Sequence, residues 1–218
     1  MSAPLILHEL PPSPNSVKVR LGLGFKGLDY ERRPVSFEQF PGERSALVAL
    51  SGQPRTPVLE HGAVRIFDSN GILRYLEANF PDTPKLFRAD WAAHGEIEQW
   101  ELYGRTELGA TVGALFAQAM APEPDAEAIS AGNASFNAVL ERVERTLTER
   151  AFLIDEAPSA ADIALAPFVQ LGCLPEDAGE PQSIQRFFAT HLALDAARTR
   201  TRAWAERLMA YDSATQPV

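Results

Sequence analysis

The 218-residue chain has one cysteine, Cys173. A disulfide framework and a thiolate metal cluster both need several sulfurs, so neither is expected, and no metal is assigned. Long hydrophobic runs are also missing, and none approaches the ~20 residues that span a bilayer. The first residues, MSAPLILHEL, lack the basic start and long apolar core of a signal peptide. A cytoplasmic protein without a membrane partner is the expectation. Basic charge is scarce: 20 Lys and Arg stand against 29 Asp and Glu, a formal net charge of −9. That argues against nucleic acid, because phosphate binding needs a basic surface. A small anionic ligand responds to local charge and stays open. Internal repeats and low-complexity tracts are absent. Hydrophobic content of 45% and charged content of 22% are those of an ordinary globular protein, long enough for one large or two small domains.

What is present divides into two textures. Residues 4–80 alternate short strands with helices. Residues 4–10 form a compact apolar run, and 16–27 carry a helix pattern ending at a Gly. Residues 28–35 suggest a second strand, partly exposed because Arg32-Arg33 lies at its centre; 37–50 suggest a loop with a short helix. Next, Val58-Leu59 and Val64-Arg65-Ile66-Phe67 are β-prone runs around a His61-Gly62 turn. After Phe67 the spacing becomes helical, with Ile72, Leu73 and Leu76 on one face and Asp68-Ser69 at the start. A Thr-Pro before one strand and a polar pair at a helix N-terminus outline a recess for a small anion. The order implies a four-stranded mixed sheet with helices on its faces.

Phe80-Pro81-Asp82-Thr83-Pro84 marks a linker, and no convincing strand follows it. Helix patterns cover 89–120, 125–150 and 159–174, with one or two more within 182–194 and 196–211. The expected domains are therefore residues 1–80, a linker at 81–88 and an all-α domain at 89–218.

This order and size resemble the cytosolic glutathione transferases over nearly the whole chain. Three motifs carry the resemblance. The first is Thr56-Pro57-Val58-Leu59. In that family the N-terminal domain is thioredoxin-like, this proline is cis, and the residue before it offers its backbone to the cysteinyl part of glutathione. The resemblance assigns Thr56 and Pro57 to that task. The second motif is Asp68-Ser69, where the family has Glu-Ser or Asp-Ser. Ser69 and the first helix N–H groups would hold the γ-glutamyl carboxylate, and Asp68 the ligand's ammonium group; plain N-capping explains the same residue types. Gln53 and Arg55 stand where the family contacts the glycine carboxylate, although the usual Gly-Lys-Val-Pro is here Pro54-Arg55-Thr56-Pro57. The third motif, Ser159-Ala-Ala-Asp162, resembles the family's helix-capping box, a folding element.

Glutathione transferases need a donor at the sulfur, because the thiolate is the nucleophile and a hydrogen bond stabilises it. The corresponding stretch is Leu10-Pro-Pro-Ser-Pro-Asn-Ser-Val-Lys-Val-Arg20. Alignment with serine-type classes gives Ser13 the donor position. Asn15 is a second candidate by resemblance to bacterial and fungal members with Pro-Asn, and Ser16 a third. Ser13 before Pro14 is also a favoured helix start, which would make it only a cap. His8 suits a packed or surface strand residue better than a base. Neither position 13 nor 15 is cysteine, so mixed-disulfide chemistry lacks its nucleophile, and Cys173 reads as a small buried hydrophobe.

On the first long helix of the second half, Trp100 and Phe116 suit a core, and Tyr103 and Arg105 are assigned to the acceptor pocket. The resemblance implies a homodimer that uses glutathione as co-substrate against a small-molecule electrophile, or in a related isomerisation. Two rivals remain: a non-catalytic glutathione- or protein-binding relative, and a glutathione-dependent disulfide reductase.

Overall fold

The computed structural model of the chain describes residues 3–35, 44–181 and 183–212. Two compact units divide it, one comprising residues up to Phe87 together with those from Ala210, the other Arg88–Met209. The stretch expected as a linker thus lies almost wholly with the first unit. So do residues 210–212, which the sequence suggests belong to the helical half.

In the first unit, Leu5, Leu7 and Glu9 are buried while Ile6 and His8 are half-buried, the period-two pattern of a strand, β1 (Leu5–Glu9). Pro14 then opens α1 (Pro14–Phe25), which stops at Gly27, whose φ of 64° suits a residue without Cβ. The second strand, β2 (Glu31–Pro34), is shorter than expected and wholly exposed; its Glu-Arg-Arg-Pro sequence protects a sheet edge from unwanted pairing. Of the expected loop with a short helix, residues 36–43 lie outside the described residues, and α2 (Ser45–Ser51) supplies the helix. A hairpin of β3 (Val58–His61) and β4 (Val64–Phe67) follows, then α3 (Ser69–Asn79).

The sheet order is β2-β1-β3-β4, with β1 parallel to β2 and antiparallel to β3, and β3 antiparallel to β4. The mixed four-stranded expectation holds. Leu7 pairs with Leu59, and Leu59 with Ile66, giving one apolar face. Val19 and Leu23 of α1 and Ile72 and Leu76 of α3 close over it with Leu5, Leu7 and Leu59.

The register also sets where the loops meet. Val58, the first residue of β3, pairs with His8 near the end of β1 and with Phe67, the last residue of β4. The turn into α1, the Thr56-Pro57 approach to β3 and the start of α3 therefore share one end of the sheet.

The second unit is all helical among its described residues. Residues 91–119 form one run in which α4 (Trp91–Tyr103) and α5 (Gly109–Ala119) are joined by a π-helical turn, Gly104–Leu108. Then come α6 (Ala126–Thr146), α7 (Ala160–Gln170) with a 3-10 turn at Leu171–Cys173, α8 (Ile184–His191) and α9 (Thr199–Met209). Every residue of α7 from Ala160 to Val169 is buried. Its capping box forms as expected. The Asp162 carboxylate takes the Ser159 N–H at 2.9 Å and hydroxyl at 2.7 Å, with the Leu153 N–H at 2.8 Å and Trp204 Nε1 at 2.9 Å.

Candidate functional site

Pro14 at the first helical position of α1 leaves Ser13 at the N-cap, but the Ser13 side chain makes no capping hydrogen bond. Capping therefore does not account for its hydroxyl. The turn is held instead by the Ser13 N–H donating to the Leu10 carbonyl at 2.9 Å and the Leu10 N–H donating to Ser16 Oγ at 3.2 Å. Ser16, the third candidate, is fully buried in that structural role.

At α3, Asp68 has φ 71° and ψ 117°, a strained conformation for a residue with a side chain. Its Oδ1 accepts from the Asn70 N–H at 3.0 Å and the Gly71 N–H at 2.9 Å. Two of the four first-turn donors are thus taken by the cap. The Ser69 N–H lies ahead of this capped pair, at the first helical position. Asp68 itself is exposed, so its carboxylate is accessible to a cation in solution.

A polar junction joins the two helix starts. Buried Ser69 donates its hydroxyl to Asn15 Oδ1 at 3.3 Å and accepts from Lys18 Nζ at 3.1 Å, and the same ammonium donates to Asn70 Oδ1 at 2.9 Å. Lys18 is 6% exposed. Helix N-termini carry partial positive charge, and a buried ammonium adds to it, so the junction is chemically suited to a carboxylate. Lys18 and Asn70 were not assigned from sequence. The available signal was a lysine in a helix whose neighbouring positions include the apolar Val19, Leu21 and Leu23.

The Thr56-Pro57 peptide is cis, with Thr56 half-buried and Pro57 buried. Gln53 and Arg55 are drawn together: the Gln53 amide donates to the Arg55 carbonyl at 2.8 Å and to Ser51 Oγ at 3.1 Å, and its Oε1 accepts the Arg55 N–H at 2.7 Å. The Gln53 side chain therefore braces its own loop, leaving the exposed Arg55 side chain as the ionic group there. His8 is occupied by Glu60, to which Arg65 also pairs at 2.6 Å.

In the second unit, Tyr103 is half-buried and donates its hydroxyl to the Val139 carbonyl at 2.7 Å, with the Arg142 guanidinium 4.8 Å from its ring centre. Burial raises the Tyr103 pKa, so the group stays protonated. Arg105 is exposed on the π-helical turn. Trp100 is core, as expected, and Phe116 is only half-buried. Burial pushes the Cys173 thiol up, the reverse of a reactive cysteine. Among the described residues no cluster could hold a metal ion, and no helix is long and apolar enough to cross a membrane.

A family model for the glutathione S-transferase N-terminal domain matches residues 7–84, and one for the C-terminal domain matches residues 99–212. The chain belongs to the glutathione S-transferase family. Among its relatives within that family, glutathione S-transferase F10 of Arabidopsis thaliana is 29% identical over 153 residues, covering 66% of this chain and 70% of the relative. The solved glutathione S-transferase of Rhodospirillum rubrum F11 superposes with a TM-score of 0.80 at 21% identity, over 98% of this chain and 93% of that one. Rice GST1, solved in complex with glutathione, gives 0.78 at 22% identity, over 100% and 92%. At these identities the structures show a common fold.

Proposed function

We propose that this chain is a glutathione transferase that adds the glutathione thiolate to an electrophilic carbon of a small molecule. The observation that carries the reading is the Asn15–Ser69–Lys18–Asn70 junction. It gathers two helix starts and an ammonium at the end of the sheet where Thr56-Pro57 enters β3. In this reading the γ-glutamyl carboxylate lies at Ser69, its ammonium group at Asp68, and the cysteinyl backbone along Thr56-Pro57. Arg55 serves the glycine carboxylate, with Gln53 fixing its loop.

The junction also supports different roles for the two thiol-activating candidates. Asn15 is bonded to Ser69, which ties its amide to the γ-glutamyl end. Ser13 has a hydroxyl not used in capping, at the mouth of α1. Ser13 is therefore the donor to the sulfur, and the chain a serine-type member. Catalysis follows from stabilising the thiolate and positioning it, not from a covalent enzyme intermediate. Tyr103 and Arg105 are proposed for the acceptor side. A cytoplasmic homodimer completes the reading; a second copy would cover Val64 and Phe67 of β4, 43% and 51% exposed.

Kinetics with glutathione and an activated aryl halide test this. Ser13→Ala should lower kcat by about a hundredfold with little change in KM for glutathione. Asn15→Ala should chiefly raise that KM. The reverse pattern would reassign the donor. Retention of the unaltered protein on immobilised glutathione with no turnover of any electrophile would make it a binding protein instead.

A further inference from the structure

Asp212 is 192 residues from Arg20 in sequence, yet the two form a bidentate pair, Nε to Oδ1 and Nη2 to Oδ2, both at 2.8 Å. The side chains are 5% and 1% exposed. The third guanidinium nitrogen, Nη1, meets the Glu9 carboxylate and donates to the Pro11 carbonyl at 3.1 Å. Glu9 is the last residue of β1, and Pro11 lies two residues before Ser13. One guanidinium therefore spans the start of the turn that carries Ser13 and Asn15.

Asp212 supplies the buried Arg20 guanidinium with a second carboxylate besides Glu9. Glu9 is fully buried and also takes Arg32, so two arginines face Glu9 and Asp212. Burial alone would lower the Arg20 pKa, and the carboxylates of Asp212 and Glu9 outweigh it and hold it above its ordinary value. Without Asp212, the buried Arg20 would share the Glu9 carboxylate with Arg32, whose own side chain is 35% exposed. Residues 210–212 are also seated sterically. A Cβ at Gly24 would lie 1.9 Å from the Tyr211 carbonyl oxygen, and the Tyr211 ring meets Phe25 edge-on at 5.3 Å.

We propose that Asp212 is a positioning residue for the thiol-activating turn: its carboxylate clamps Arg20, and Arg20 holds Pro11 and Glu9 so that Ser13 keeps its place. This rests on the reading of Ser13 given above. The tail thereby becomes part of the catalytic machinery without touching substrate.

Two full-length variants test it by independent routes. Asp212→Asn removes the charge and keeps the shape; Gly24→Ala displaces the Tyr211 backbone and keeps both carboxylates. In each, amide hydrogen exchange over residues 10–16 of the free protein should accelerate. The pKa of bound glutathione should rise by about one unit, leaving about tenfold less thiolate at a pH well below that pKa and a matching loss in kcat there. Affinity for S-methylglutathione should fall clearly less than kcat, because Ser69, Lys18 and Asn70 are untouched even where Asn15 moves with the turn. Unchanged exchange in both variants overturns the clamp whatever the activity. Parallel losses of kcat, S-methylglutathione affinity and Tm overturn the positioning role, because they report general loosening. An unaltered protein that does not bind glutathione overturns the reading beneath, and with it the catalytic role, while exchange still decides the clamp.

Discussion

At the start of α7, Asp162 is fully buried and its carboxylate receives four donors, from Leu153, Ser159 twice and Trp204. At the start of α3, Asp68 is exposed and takes two amides of its own helix, while the adjacent Ser69 is shared between Asn15 and Lys18. Both helices open on an Asp and a Ser, both favoured at N-caps. At α7 every partner is protein and the group is sealed, so the pair is a folding device. At α3 the cap takes two first-turn amides, and the serine sits between the polar side chains of Asn15 and Lys18, the place proposed above for a ligand carboxylate. Residue type selects a helix start; only the surroundings decide whether that start can bind anything.

The sharpest way to break the comparison is to remove each pair's key group. Asp162→Ala leaves four buried donors without an acceptor and should cost about 3 kcal/mol or more in denaturant unfolding. A loss under about 1 kcal/mol would show that water replaces the carboxylate and that the site is less sealed than α7 implies. Ser69→Ala should do the opposite. Glutathione affinity should fall about thirtyfold, about 2 kcal/mol for hydrogen bonds to a charged group, with Tm nearly unchanged. Calorimetric titration and thermal melts of the same variant separate the two effects.

The smallest effect belongs to an exposed carboxylate. Asp155 is paired with Arg88 at 2.7 Å, and that hydrogen bond holds its pKa below the usual carboxylate range. A folded-state pKa below the unfolded one stabilises the protein above the unfolded value and stops doing so as pH falls through the folded value. Asp155 is 44% exposed, so solvent screens the pair to about 0.5–1 kcal/mol. The stability gap between the unaltered protein and Asp155→Asn should be present at pH 7 and close below about pH 4. A gap that widens on acidification would reverse the assigned sign.

Local signals were read well from sequence. The β3–β4 hairpin and the cap at Asp68 follow from alternation, a Gly turn and a change of period, all confined to neighbouring residues. The α7 capping box was legible for the same reason. The single helix expected over 89–120 is interrupted by a π-helical turn at Gly104–Leu108, because one inserted residue barely alters an apolar pattern. Ser13 at the N-cap was visible, but its hydroxyl's freedom from capping was not, since Ser before Pro looks the same either way.

Sequence alone determined the order of elements, the Thr56-Pro57 and Asp68-Ser69 motifs and the absence of a cysteine nucleophile at the mouth of α1. Each depends on residues a few positions apart, where backbone geometry nearly fixes who meets whom. Tertiary structure alone decided that Lys18 reaches Ser69 and Asn70 and that Asp212 reaches Arg20, contacts 51, 52 and 192 residues apart. Those meetings depend on the rotation of α1 against the sheet and on the return of the tail to the first unit. Both are set by close packing of buried side chains, not by the residues that meet.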